Sequence, residues 1–139
     1  NREWDNFNIK LRSYSLKECD SIIEYIEKNI KYTNKVKYLQ YIKYYFEEKI
    51  FAIVYVGEES HIILKADGKF NIAVRKEFKK TVFPSYVINK YHWNMILIGK
   101  ELPVQIICRL IETSKEEVID TMTKRQKDIY DYLLNSINQ

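Results

Sequence analysis

Apolar positions along the chain fall into stretches with helical spacing and short dense runs, and the two patterns set the expected elements. Cys19, Ile22, Ile23, Ile26 and Ile30 form one buried helical stripe, while Asp20, Glu24 and Glu27 line another face. Ser15-Leu16-Lys17-Glu18 reads as a capping box, in which serine and glutamate satisfy orphan N–H groups, so this helix is predicted to start there. Tyr41 to Phe46, Ile50 to Val56 and His61 to Lys65 are β-branched and aromatic runs with short polar breaks, the pattern of an antiparallel meander. Residues 69–80 predict an amphipathic helix with Phe70, Ile72, Ala73 and Phe78 partly inward. Val82-Phe83-Pro84 reads as a break, because proline disfavours helix in the residue before it.

Tyr86 to Ile88 and Trp93 to Ile98 give two further strands. Pro103 suits a first helical turn, continued by Val104, Ile107, Cys108 and Ile111. Ser114-Lys115-Glu116-Glu117 repeats the capping-box pattern and predicts a new helix through Val118, Ile119 and Met122. Apolar positions from Ile129 to Ile137 predict a last helix, packed on the domain or paired with a second copy. The order, a helix, three strands, a helix, two strands and then helices, is compatible with an α+β fold that has an antiparallel sheet of about five strands and helices on one face. Residues 1–15 read as a weakly patterned lead-in, 16–125 as the domain and 126–139 as a helical extension.

Composition narrows the picture. The 139 residues suit one domain, and 46% hydrophobic with 30% charged residues, three Gly and two Pro excludes a disordered or fibrous chain. Net charge is +4, a mild excess that permits attraction to phosphate without demanding it. Two basic patches stand out, Lys31 to Lys49 among five tyrosines and Arg75 to Lys80, each readable as a phosphate contact or as solvated lysine. Cys19 and Cys108 sit in apolar patterns and read as core thiols of a reduced, cytoplasmic protein. No apolar run reaches the ~18 residues of a membrane span, and no signal peptide opens the chain. The first residue is not Met, as in a processed or truncated chain.

Candidate chemistry concentrates in Asn89-Lys90-Tyr91-His92-Trp93-Asn94, ahead of the buried run Met95-Ile96-Leu97-Ile98. With Trp93 turned inward to organise the sheet, His92 projects to the opposite, solvated face, where Lys90 and Asn89 join it as candidates for holding an anion. No metal site is expected from Cys19, His61, His92 and Cys108, since none has ligand spacing. Glu24 to Lys28 and Glu27 to Lys31 have the favourable four-residue spacing of paired helix charges. There is no Gly-rich phosphate loop and no G-x-S-x-G elbow, and a lone histidine without an orienting acid makes a weak general base. Neither catalytic residues nor a cofactor are expected.

Lys49-Ile50-Phe51-Ala52-Ile53-Val54, Tyr86 with Asn89 to Trp93, Gly99 with Leu102-Pro103, and Leu110-Ile111-Glu112-Thr113-Ser114 together resemble the MmcQ/YjbR family over residues 16–125. The resemblance implies a CyaY-like, or double-wing, α+β fold and the DNA-binding label that family carries. It also invites comparison of Asp20, Glu24 and Glu27 with the acidic ridge of frataxin-type iron binders, although Lys17, Lys28 and Lys31 interrupt it. The chain departs from the family at Asp67-Gly68-Lys69-Phe70-Asn71, where a Pro-Glu-rich start is frequent, and at Ser114-Lys115, where Ser-Tyr is frequent. The expected function is a DNA-binding module in which Lys43, Arg75, Lys76, Lys79, Asn89, Lys90 and His92 contact nucleic acid. The alternative is a domain that binds a protein or a small anionic ligand near Asn89, Lys90, His92 and Trp93, without catalysis. Ser15 and Ser114 enter as helix caps, and no membrane partner is expected.

Overall fold

A computed structural model describes the backbone of residues 2–138 and the side chains of residues 16–136. The elements run α1 (Arg2–Asn29), β1 (Asn34–Tyr38), β2 (Tyr41–Phe46), β3 (Lys49–Tyr55), β4 (His61–Lys65), α2 (Gly68–Glu77), β5 (Val82–Pro84), β6 (Trp93–Leu97), α3 (Val104–Asp120) and α4 (Lys124–Asn138). The α+β class holds, with six strands where about five were expected, all antiparallel, in the order β1-β2-β3-β4-β6-β5. Among the described residues no helix is long and apolar enough to cross a membrane.

Directly opposed residues of antiparallel strands share a face, so the register sorts the sheet into two sides. Ile42, Val54, Ile62 and Ile96 form one row, and Tyr44, Ala52, Leu64 and Asn94 the next. On this side Leu64, Asn94 and Ile96 meet Phe70, Asn71 and Val74 of α2 and Leu110 of α3 around a void of about 10 Å³. Cys19, Ile22, Ile26 and Ile30 of α1 and Ile107, Ile111, Ser114 and Val118 of α3 are the buried helical stripes. A bulge between Tyr44 and Tyr45 buries Phe51 beside Phe46, with the rings stacked at 4.4 Å and 28°. Tyr130 of α4 closes on Phe46 edge-on at 5.3 Å.

Several boundaries differ from expectation for identifiable reasons. The α1 backbone is helical from Arg2 onward, so Ser15 does not begin it and residues 2–15 are helix rather than a loose lead-in; the Ser15 side chain lies outside the described residues. Ser114 lies inside α3, which runs unbroken from Val104 past Thr113. It does not cap a helix. A reciprocal capping box occurs instead at α4, where Thr123 N–H donates to Gln126 Oε1 at 3.0 Å and Gln126 N–H donates to Thr123 Oγ1 at 3.2 Å. Residues 82–84 are a strand, since proline is tolerated on a sheet edge, while residues 86–88 are bends. β1 has no counterpart among the expected elements, because all five of its residues are exposed and it has no buried face to pattern it. Its lysines suit an edge that must not recruit other strands.

Candidate nucleic-acid interface

The segment richest in candidate residues is committed to architecture. Asn89 Oδ1 accepts the Tyr91 N–H at 2.8 Å, and the Asn89 carbonyl accepts from His92 and Trp93 N–H. Arg75 reaches across from α2: its Nε donates to Asn94 Oδ1 at 2.7 Å, and its Nη2 donates to the carbonyls of Lys90 and Trp93. Asn94 Nδ2 then donates to Asn71 Oδ1 at 2.9 Å, and Asn71 Nδ2 donates to the carbonyls of Ala66 and Tyr91. Asn71 and Asn94 are 0% and 3% exposed, so this chain of amides answers buried carbonyls that would otherwise be unpaired. Tyr91 lies so close over Gly68 that a Cβ there would come within 2.1 Å of its ring, which is why the first residue of α2 is glycine.

Trp93 is buried and shares its face with Lys65, whereas Asn94 faces α2; the polar residue, not the tryptophan, ties β6 to that helix. His92 and Lys90 are exposed, the His92 ring edge-on to Tyr91 at 4.9 Å. Lys76 and Lys79 are exposed on and just after α2. Lys43 is three strands away from β6, about 14 Å by strand spacing. The candidates therefore do not form one site. Arg75 is engaged by Asn94 and by backbone carbonyls, Asn89 Oδ1 is engaged by the Tyr91 N–H, and Lys43 belongs elsewhere.

That elsewhere is the sheet side opposite the one met by α2 and Leu110. Tyr38, Tyr41, Tyr55 and His61 oppose one another in sequence across β1, β2, β3 and β4, making one cross-strand row of aromatic rings. Tyr55 and His61 are stacked at 4.9 Å and 16°, and Tyr41 leans on Tyr55 at 5.0 Å and 53°. Tyr55 Oη donates to Gln40 Oε1 at 3.2 Å. Burial holds His61 below the ordinary histidine value against the Glu59 carbonyl and the Glu59 charge, so the ring is mainly neutral at pH 7. Lys43 occupies the adjoining row with Ile53 and Ile63, and Tyr45 and Lys65 lie one row further on the same side. The middle of this side is buried, with Ile53 2%, Ile63 1% and Trp93 6% exposed, so the accessible part lies at the row of rings and its flanking lysines.

Among the described residues no strand contains an Asp or Glu. Among the described residues the ion pairs use Lys28, Lys35 and Lys115, and neither Lys43 nor Lys65 takes part in one. The α1 acids are paired as a solvated face, Glu24 with Lys28 and Glu27 with Lys35 rather than Lys31. Among the described residues no group of three or more His, Cys, Asp or Glu is gathered as a metal site would need. Burial pushes the Cys19 thiol up to about 11, which leaves it a protonated core group.

The family model named YjbR matches residues 32–114, more than half of the chain. The chain belongs to the YjbR family. Two solved structures share its fold: a Deinococcus radiodurans protein with a DUF419 domain (TM-score 0.70, 16% identity, covering 78% of this chain and 84% of that one) and a Pseudomonas syringae protein (TM-score 0.60, 24% identity, covering 71% and 97%). Identities this low speak for the YjbR fold alone. No curated protein matches the sequence.

Within the YjbR domain the Leu110-Ile111-Glu112-Thr113-Ser114 motif has a structural meaning. One step past the last β3–β4 pair, the Ser114 hydroxyl accepts from Lys65 N–H at 2.9 Å and donates to the Phe51 carbonyl at 2.6 Å, standing in for a ladder bond. The aromatic row was missed from sequence, although a signal existed. The alternation Tyr41, Lys43, Tyr45 places these three on the face away from Ile42, Tyr44 and Phe46, and the short hairpins bring Tyr55 and His61 alongside.

Proposed function

We propose that this YjbR domain is a non-catalytic nucleic-acid-binding module and that the side of the sheet bearing Tyr41, Lys43, Tyr55, His61 and Lys65 is its contact surface. The observation that carries this reading is the combination of a cross-strand aromatic row with lysines on strands free of acidic residues. Lysines supply the salt-dependent phosphate attraction and half-buried rings supply apolar contact, with the acidic residues Glu58 and Glu59 confined to the β3–β4 turn at the His61 end of the row. A small-anion pocket at Asn89, Lys90 and His92 has less behind it, because Asn89 and the neighbouring Arg75 already hold backbone groups.

The test is fluorescence anisotropy with labelled nucleic acid at low and moderate salt, comparing the charge reversals Lys43→Glu with Lys65→Glu against Lys76→Glu with Lys79→Glu. The sheet pair is expected to abolish binding and flatten the salt dependence, and the α2 pair to leave most of it. The reverse pattern would move the interface to α2. Absence of binding by the unaltered protein at micromolar concentration and low salt would end the nucleic-acid reading.

A further inference from the structure

The chemistry of the aromatic row is more selective than nucleic-acid binding in general. We infer that it takes single-stranded nucleic acid, whose unpaired bases extend the ring stack begun by Tyr55 and His61; this rests on the nucleic-acid reading of the same face. Tyr41, Tyr55 and His61 draw together into one ring cluster, Tyr41 and His61 only 6.4 Å apart, and Tyr38 stands next to it in the register, so the cluster can be extended by one or two bases at its Tyr41–Tyr38 end. At the open end of the row Tyr38 is 68% exposed, on an edge strand that no further strand covers.

Duplex nucleic acid is poorly matched to such a surface. Its base faces are already stacked on one another, so it offers the rings only phosphate, sugar and base edges and no free base face, and duplex affinity is built chiefly from phosphate contacts. The face supplies two lysines, Lys43 and Lys65, both beside the row rather than within it. An unpaired strand instead presents ring faces to Tyr and His and can lay its phosphates toward those lysines. Because every base has a π face, recognition by this row is tolerant of sequence. The neutral His61 ring serves as a stacking partner and not as a cation.

The experiment compares a labelled single-stranded DNA of mixed sequence, its RNA counterpart and a hairpin duplex of equal charge, by anisotropy in low salt. Single strands are expected to bind about ten-fold or more tighter than the duplex, with tyrosine fluorescence quenched on binding. Tyr55→Leu and Tyr41→Leu are each expected to weaken single-strand binding about ten-fold, while Tyr55→Phe, which keeps the ring, stays near the unaltered protein. Circular dichroism and melting of each variant separate loss of contact from loss of fold, and the Phe variant keeps the test valid where a Leu variant unfolds. Equal or tighter duplex binding that Tyr55→Leu leaves intact overturns the single-strand inference and spares the broader reading. Failure of every nucleic acid, with capture of anionic vesicles or an acidic peptide instead, overturns both.

Discussion

The β6–α2 end of the sheet and the β2–β4 outer face use polar groups in opposite ways. At the first, Arg75, Asn71 and Asn94 direct their hydrogen bonds into backbone carbonyls or one another, and the two amides are buried. At the second, Tyr41, Tyr55 and His61 are half-buried, touch one another through their rings, and stand beside lysines outside any ion pair among the described residues. A polar residue whose donors and acceptors are all occupied inside the protein has little left for a ligand. Recognition is better sought where rings and charges remain half available.

The strongest challenge to that division is Asn71→Leu. It leaves the Ala66 and Tyr91 carbonyls and the Asn94 amide without their partner, and is expected to lower stability by about 3 kcal/mol. The readout is the urea midpoint at unchanged slope; a change under about 1 kcal/mol would mean that the amides are not structural. Ser114→Ala removes one bridging hydroxyl and should cost about 2 kcal/mol in the same measurement. Gly68→Ala must displace the Tyr91 ring, which is 50% exposed and can swing away, so it should cost about 1 kcal/mol or less, and Tyr91→Ala in the same chain should remove that cost.

Smaller effects sharpen the other side. Burial lowers His61 below its ordinary 6.5, so the unfolded chain takes up this proton first and folding stability falls as pH drops from 6.5 toward the folded value. His61→Gln should flatten that part of a stability-versus-pH curve; an unchanged curve would place its origin elsewhere. Smallest of all, Lys90→Ala and His92→Ala are expected to leave stability within about 0.5 kcal/mol and nucleic-acid affinity nearly unchanged. A large loss of affinity from either would return the interface to the loop.

The elements with one buried face were legible in the sequence. β2 falls at the predicted residues and α2 nearly so, because alternation and helical spacing record which side is covered, and β4, buried on both faces, is marked by its apolar run Ile62-Ile63-Leu64. β1 and β5 were not, since an edge strand with all residues exposed and a three-residue strand ending in Pro84 have no such record. The hairpin turns were also obscured, with Leu39 and Glu47 holding positive φ where glycine would have announced a turn. For the loop, composition identified a special place but not its purpose. Whether a lysine or asparagine meets a ligand or its own backbone is decided by tertiary geometry, and Arg75 is 15 residues from the Lys90 carbonyl it binds.

Ser114 carries one further implication. Its hydroxyl contacts both strands at once, so the axial position of α3 and the relative alignment of β3 and β4 become one coordinate instead of two. Sliding the helix by a single residue would break contact with both strands together. The same serine thereby keeps Ile53 abreast of Ile63, and Tyr55 abreast of His61, at the far side of the sheet.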